Sequence, residues 1–148
     1  MICASEDVGN ADPQALTVAV SAAQAVERIG MPEAQIILSQ AATYVACAPK
    51  SNAACNAIFA ANEEVKRSGN LPIPTHLQDA HYKGAAKLGH GTWYKYAHDY
   101  PNHYVDQQYL PYELTGKKYY EPSWNGYEAK IREHMKRIKE EAEEKGAD

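Results

Sequence analysis

The sequence predicts an all-α fold: a compact helical bundle, then a long tyrosine-rich irregular segment, then a C-terminal amphipathic helix. Three observations predict it. Residues 4–61 are rich in alanine and punctuated by helix start and stop signals. Ten of the eleven tyrosines lie at or after Tyr82. The final stretch repeats apolar residues at helical spacing, with charges elsewhere.

The first helix is expected in "DPQALTVAVSAAQAVERIG", where Asp12 is an N-cap, Pro13 suits the first turn and Gly30 the stop. A second follows from Pro32 to Ala48. Its core, "AQIILSQAATYVACA", is apolar nearly all the way round, which predicts a central helix buried on more than one side. Pro49 ends it, and Ser51 can cap a third helix that stops at Gly69. Three consecutive alanine-rich helices joined by short links predict a compact antiparallel core.

"GNLPIPTHL" breaks regular structure, because Pro72 and Pro74 hold their neighbours extended. Short helical turns are expected near residues 77–80 and 83–88. Residues 89–123 carry turn signals, aromatics and three prolines without a sustained period, and read as a long ordered loop region laid across the bundle. In the last helix Tyr127, Ile131, Met135, Ile138 and Ala142 form one stripe. Glu128 with Arg132, Glu133 with Arg137, and Glu141 with Lys145 stand at the favourable four-residue spacing.

Length and charge bound the function. The chain has 148 residues, enough for one domain with a core, and a net charge of -4, which argues against a wholly basic nucleic-acid footprint. Three cysteines, Cys3, Cys47 and Cys55, form no C-x-x-C pair and read as reduced, buried thiols of a cytosolic protein. No apolar run is long enough to span a membrane. The start "MICASED" has no basic leader, and it enters a motif-like stretch so abruptly that residues 1–148 are expected to be a fragment of a larger protein.

Chemistry-bearing residues concentrate in "YKYAHDYPNHYVDQQYLP", residues 94–111, which holds two histidines, two aspartates and five tyrosines. His98, Asp99, His103 and Asp106 could in principle converge on a metal, but the spacing matches no ligand motif. The reading favoured here is packing, with Trp93, Tyr94, Tyr96, His98, Asp99 and Tyr109 as structural or interface residues. No nucleophile elbow, facing carboxylate pair or phosphate loop is present, so no catalytic, cofactor or metal residue is assigned. In "HYKGAAKLGHGTWYKYAH" lysines interleave with aromatics, a pattern suited to backbone contact with base stacking. Lys83, Lys87, Lys95, Lys117 and Lys118 are the candidate DNA contacts.

Several stretches then stand in one order: "ASEDVGNADPQAL", "YVACAPKSNA", "LPIPTHLQDA", "YKYAHDYP", "QQYLP" and "YYEP". Together they resemble the C-terminal domain of the replication-associated recombination protein A family, RarA or MgsA, whose eukaryotic relatives are Werner-helicase-interacting ATPases. The resemblance covers nearly the whole chain. It implies an all-helical domain through which a clamp-loader-like AAA+ ATPase assembles as homotetramers and acts in replication, recombination and repair at stalled forks. Implied partners are the ATPase module of the same chain, single-stranded-DNA-binding protein and DNA, in the cytoplasm. ATP and magnesium would belong to the ATPase module, whose Walker motifs match no position here. Trp93 and Tyr94, after the glycine turn, are bulkier than the small residues the family pattern implies there.

Overall fold

The computed structural model describes residues 1–82 and 84–145. It is all-helical, with no strand among the described residues. The long helices are α1 (Gln14–Ile29), α2 (Ala34–Cys47), α3 (Ala53–Ser68) and α4 (Tyr127–Lys145); short helical turns precede α1 and fill the stretch between α3 and α4. The chain forms two compact units, residues 1–63 with 119–134 and residues 64–118 with 135–148.

In the first unit Asp12 both starts α1 and fixes α2. Its Oδ1 accepts the Gln14 N–H at 3.0 Å, and its Oδ2 accepts the Tyr44 hydroxyl at 2.8 Å. That bond is the main reason the Tyr44 hydroxyl holds its proton above the usual tyrosine range. Gly30, at φ 74, stops α1 and donates its N–H to the Val26 carbonyl at 2.9 Å. The link 30–33 then returns the chain, and α2 packs against α1. At the other end of α2 the Lys50 ammonium donates to the Val45 and Ala46 carbonyls at 2.9 and 3.1 Å, satisfying orphan acceptors where the helix dipole is negative.

The apolar centre of this unit is small. A wide helical turn at Ala4–Val8 buries Ala4 and Val8 with Ala15 of α1, and Ala19, Val45 and Ala48 pack around them. The sequence led us to expect α2 to be central and enclosed, which is incorrect for the single chain: Ala34 is its one buried residue. Nor does α3 complete a three-helix core; among the described residues the extensive packing of long helices is between α1 and α2. Cys3 and Cys47 are likewise exposed and Cys55 is half-buried, contrary to the expected burial.

A polar clasp holds the start of α4 in the same unit. Glu128 is 0% exposed. Its Oε2 accepts the Ser51 hydroxyl at 2.6 Å and the Ser123 N–H at 2.7 Å, and its Oε1 accepts the Tyr120 hydroxyl at 2.9 Å. The expected pairing with Arg132 is replaced: Arg132 donates its Nε to the Pro122 carbonyl at 2.8 Å and lies over the Trp124 ring at 4.9 Å. Asn125 reaches the Lys50 carbonyl at 2.9 Å. Gly126 must be glycine here, because a Cβ would stand 2.1 Å from the Ala11 carbonyl oxygen and φ is +54.

The second unit is built of turns at Thr75–Leu77, Ala85–Leu88, Ala97–Asp99, Pro101–His103 and Tyr112–Leu114, together with the later part of α4. The first of these turns begins before the position expected for it. Glu64, 9% exposed, pairs with Lys117 at 3.1 Å and with Arg67. On α4, Lys136–Glu140, Arg137–Glu141 and Lys139–Glu143 are ion pairs at 3.6, 3.9 and 3.7 Å. The side chain of Lys145, expected to pair with Glu141, lies outside the described residues.

Burial pushes the Glu128 carboxyl upward, but hydrogen bonds from Ser51, Ser123 and Tyr120 outweigh it and hold the carboxyl below the usual range. A depressed folded-state value means that the clasp stabilises fully above the unfolded carboxylate pKa and is lost as pH falls through the folded one. Glu128→Ala should therefore cost about 2–4 kcal/mol in urea denaturation at neutral pH, because the buried Ser51 hydroxyl and the half-buried Tyr120 and Ser123 donors lose their acceptor. The difference from wild type should shrink in acid. An equal cost at pH 7 and at pH 3 would contradict the assignment of a buried carboxylate.

Candidate interaction surfaces

The uncovered apolar area of the first unit is organised. Residues Ala19, Ala22 and Ala23 of α1 and Leu38, Ala41, Ala42, Val45 and Ala46 of α2 line a groove of about 490 Å³, with Met1 and Cys3 beside them. On each helix these positions follow the three- and four-residue spacing of a single face. A second groove, of about 330 Å³, is lined by Val18, Ser21, Ala25, Ile37 and Gln40, among others. Ala22 and Ala41 line both grooves, so they mark the seam of the helix pair, with one groove on either side. Ile36, 74% exposed, and Leu38, 48% exposed, extend the apolar surface of α2, and Ile58 and Phe59 do the same on α3.

Sequence reasoning singled out the tyrosine segment instead, and the structure separates its residues. Trp93 is 87% exposed at φ 68, a left-handed conformation that directs this bulky ring into solvent at the turn where the sequence departs from the family pattern. Tyr94, Tyr96 and Tyr109 are also exposed, so the burial expected of these rings is not found within the chain. Their segment is nevertheless held: the Gln107 side chain accepts the Lys95 N–H at 3.4 Å and donates to the Lys95 carbonyl at 3.1 Å and to the Tyr109 hydroxyl at 3.0 Å. The His98 ring makes tilted contacts with Tyr96 and His103, with centroids 5.1 and 4.8 Å away, and Asp99 donates its N–H to the Tyr96 carbonyl at 3.0 Å. Among the described residues no three His, Cys, Asp or Glu side chains are grouped to hold a metal.

The candidate DNA lysines divide three ways. Lys87, Lys95 and Lys118 are exposed. Lys117 is committed to Glu64, where the Lys117 ammonium, with the Arg67 guanidinium, holds the carboxyl below its usual range. Lys83 lies outside the described residues. Lys95 also borders a cleft of about 410 Å³ in the second unit, floored by Val105, Ile138 and Ala142 and rimmed by Asp106 and Glu141.

A profile of the family described as MgsA AAA+ ATPase C terminal matches residues 1–139. The chain belongs to this family. An AAA domain-containing protein of Mycobacterium tuberculosis is 50% identical over 139 residues, covering 94% of this chain and 31% of that protein. The replication-associated recombination protein A of Bacillus subtilis is 46% identical over 85% of this chain and 30% of its own length. Its namesake in Escherichia coli K12 is 42% identical over 89% of this chain and 30% of its own length. The chain thus spans less than a third of these relatives, and the part it matches is the C-terminal domain of MgsA-type AAA+ ATPases of replication-associated recombination. No helix among the described residues is long and apolar enough to cross a membrane.

Sequence reasoning missed Glu128 as a buried acceptor and the two grooves flanking Ala22 and Ala41. The all-round apolar character of α2 was the available signal for the grooves. Trp93 provides a direct check on the surface description: in a Trp124→Phe background its fluorescence should be that of a water-exposed indole and open to acrylamide quenching. Trp93→Ala should change stability by no more than about 0.5 kcal/mol. A blue-shifted, quencher-protected Trp93 in dilute protein would contradict this placement.

Proposed function

We propose that this chain is the oligomerisation domain, forming a homotetramer, of a clamp-loader-like AAA+ ATPase that acts at stalled forks in replication, recombination and repair. The observation that carries the reading is surplus surface. The folded chain exposes 10738 Å². A self-sufficient monomer of its 16.4 kDa exposes about 7,500 Å² by the usual area scaling. The surplus, about 3,000 Å², exceeds the roughly 800 Å² per partner of a standard interface, and exposed apolar side chains such as Leu16, Ile36, Leu38, Ile58 and Phe59 on α1, α2 and α3 contribute to it. On this reading ATP and magnesium are bound by the ATPase module of the full-length protein, and the cytoplasmic partners are that module, DNA and single-stranded-DNA-binding protein. Light scattering should give four times the 16.4 kDa chain mass at micromolar concentration. A single-chain mass across that range would sink the proposal.

The exposed ring of Trp93, beside Tyr94, Tyr96 and Lys95, favours a second reading, a contact with single-stranded DNA. Solvated aromatics can stack on bases of any sequence while lysines track the backbone. Fluorescence anisotropy with a labelled single-stranded oligonucleotide should then show affinity falling with salt at a log–log slope of about 0.7 per neutralised phosphate. Trp93→Ala should cost about 1–3 kcal/mol of binding. Binding that ignores both salt and Trp93 would eliminate this contact.

A further inference from the structure

We infer that the cleft of the second unit is a docking site for an arginine-bearing segment of a partner protein, with the arginine stem on the floor of Val105, Ile138 and Ala142 and its guanidinium at Asp106. The walls are held in place by the chain itself. In the turn Pro101–His103, Asn102 stands at φ 55, a left-handed conformation that asparagine tolerates, and its Nδ2 donates to Oε2 of Glu141, which ties the turn to α4. The chain then runs extended through Tyr104, and Val105, 5% exposed, meets Ile138 and Ala142 at the bottom of a space of about 410 Å³. That volume suits one long side chain and its neighbours rather than a folded domain.

Charge selects the side chain. The charged residues of the described lining are Asp106, Glu141, Glu143 and Lys95, three carboxylates against one ammonium. Glu141 and Glu143 each have a cation on their own helix, Arg137 at 3.9 Å and Lys139 at 3.7 Å. Asp106 has no ion-pair partner among the described residues, and it stands beside the apolar floor. Tyr104 registers the resulting field: burial pushes its hydroxyl above the usual tyrosine range, and the Asp106 and Glu143 charges push it further against the opposing Lys139. A cation is therefore favoured over an anion at this position. Arginine fits better than lysine, because a planar guanidinium can stack on the Tyr100 or Tyr104 ring while its fork meets a carboxylate, and its hydrocarbon stem covers the floor.

The test uses the full 148-residue chain. The probe is a fluorescently labelled, capped peptide in which a single arginine stands between leucines and every other residue is neutral. Anisotropy should give a dissociation constant of about 1 mM or tighter, weakening with salt. Citrulline in place of the arginine keeps the shape and removes the charge, and should weaken binding at least about fivefold. Asp106→Asn, an isosteric change at an exposed position that leaves folding intact, should cost about as much. Ala142→Trp fills the floor and should abolish binding with the helical circular dichroism unchanged, whereas Glu121→Gln, which removes an exposed carboxylate of the first unit, should leave affinity as it was. No binding, equal affinity for the citrulline peptide, or wild-type affinity in either cleft variant overturns the assignment. So does a glutamate peptide that binds more tightly than the arginine one, or a single-stranded oligonucleotide whose affinity is lost in Ala142→Trp, since both would give the cleft to an anionic ligand at Lys95.

Discussion

The constraint on which the rest of this structure depends is the circumference of α2. Ile36, Ile37, Leu38, Tyr44 and Val45 are distributed around it, yet the described chain packs one long helix extensively against it. Fully burying an isoleucine or leucine is worth about 1.5–3 kcal/mol, and α2 forgoes much of that gain in the single chain. An isolated domain with a small centre of Ala4, Val8 and Ala15 has little other apolar burial to replace it. If assembly covers the two grooves beside Ala22 and Ala41, as proposed, it serves folding at the same time. On the proposed reading the stability of the subunit and of the oligomer are one quantity, dependent on concentration.

Polar chemistry does within the first unit what apolar packing does elsewhere. A buried carboxylate is costly unless donors surround it, and Glu128 has three, from Ser51, Tyr120 and the Ser123 backbone. Its position in the first turn of α4 adds the favourable end of the helix dipole. The same Ser51 hydroxyl oxygen accepts the Ala53 N–H at 3.3 Å, so the cap of α3 and the clasp on α4 share one atom. Gly9 and Gly126 complete the arrangement by letting backbone approach where any side chain would collide with the carbonyls of Ser51 and Ala11. The connections of this unit are locked by directional bonds, while α1 and α2 carry grooves whose lining is largely apolar.

Local signals were legible in the sequence because each acts over a few residues: Asp12 and Pro13 start a helix, Gly30 and Gly69 stop one, and the prolines at 72, 74, 101 and 111 forbid a regular period. The destination of each apolar face was not legible, since periodicity states that a face is buried without stating by what. Uniform apolarity in α2 looks the same whether the cover is α3 or a second copy. Glu128 escaped for a related reason. At helical spacing it pairs naturally with Arg132, and its actual partners stand five, eight and seventy-seven residues away. In the tyrosine segment composition indicated packing, but the left-handed turn at Trp93 directs the ring outward, a backbone event that composition does not encode.

The two proposed activities are linked through valence. Among the described lysines proposed to meet DNA, Lys117 is paired with Glu64, and the net charge of the chain is -4. A contact made by Trp93, Tyr94 and Lys95 alone would be weak and readily screened. Assembly alters that balance without adding a single bond. On the proposed reading four copies in one assembly present four such loops, so that one strand engaged by the first loop meets the others at high effective concentration. Weak stacking per subunit then becomes retention of one long strand, while short oligonucleotides that reach a single loop exchange freely. On that reading, assembly also determines how tightly the aromatic surface can hold an extended ligand.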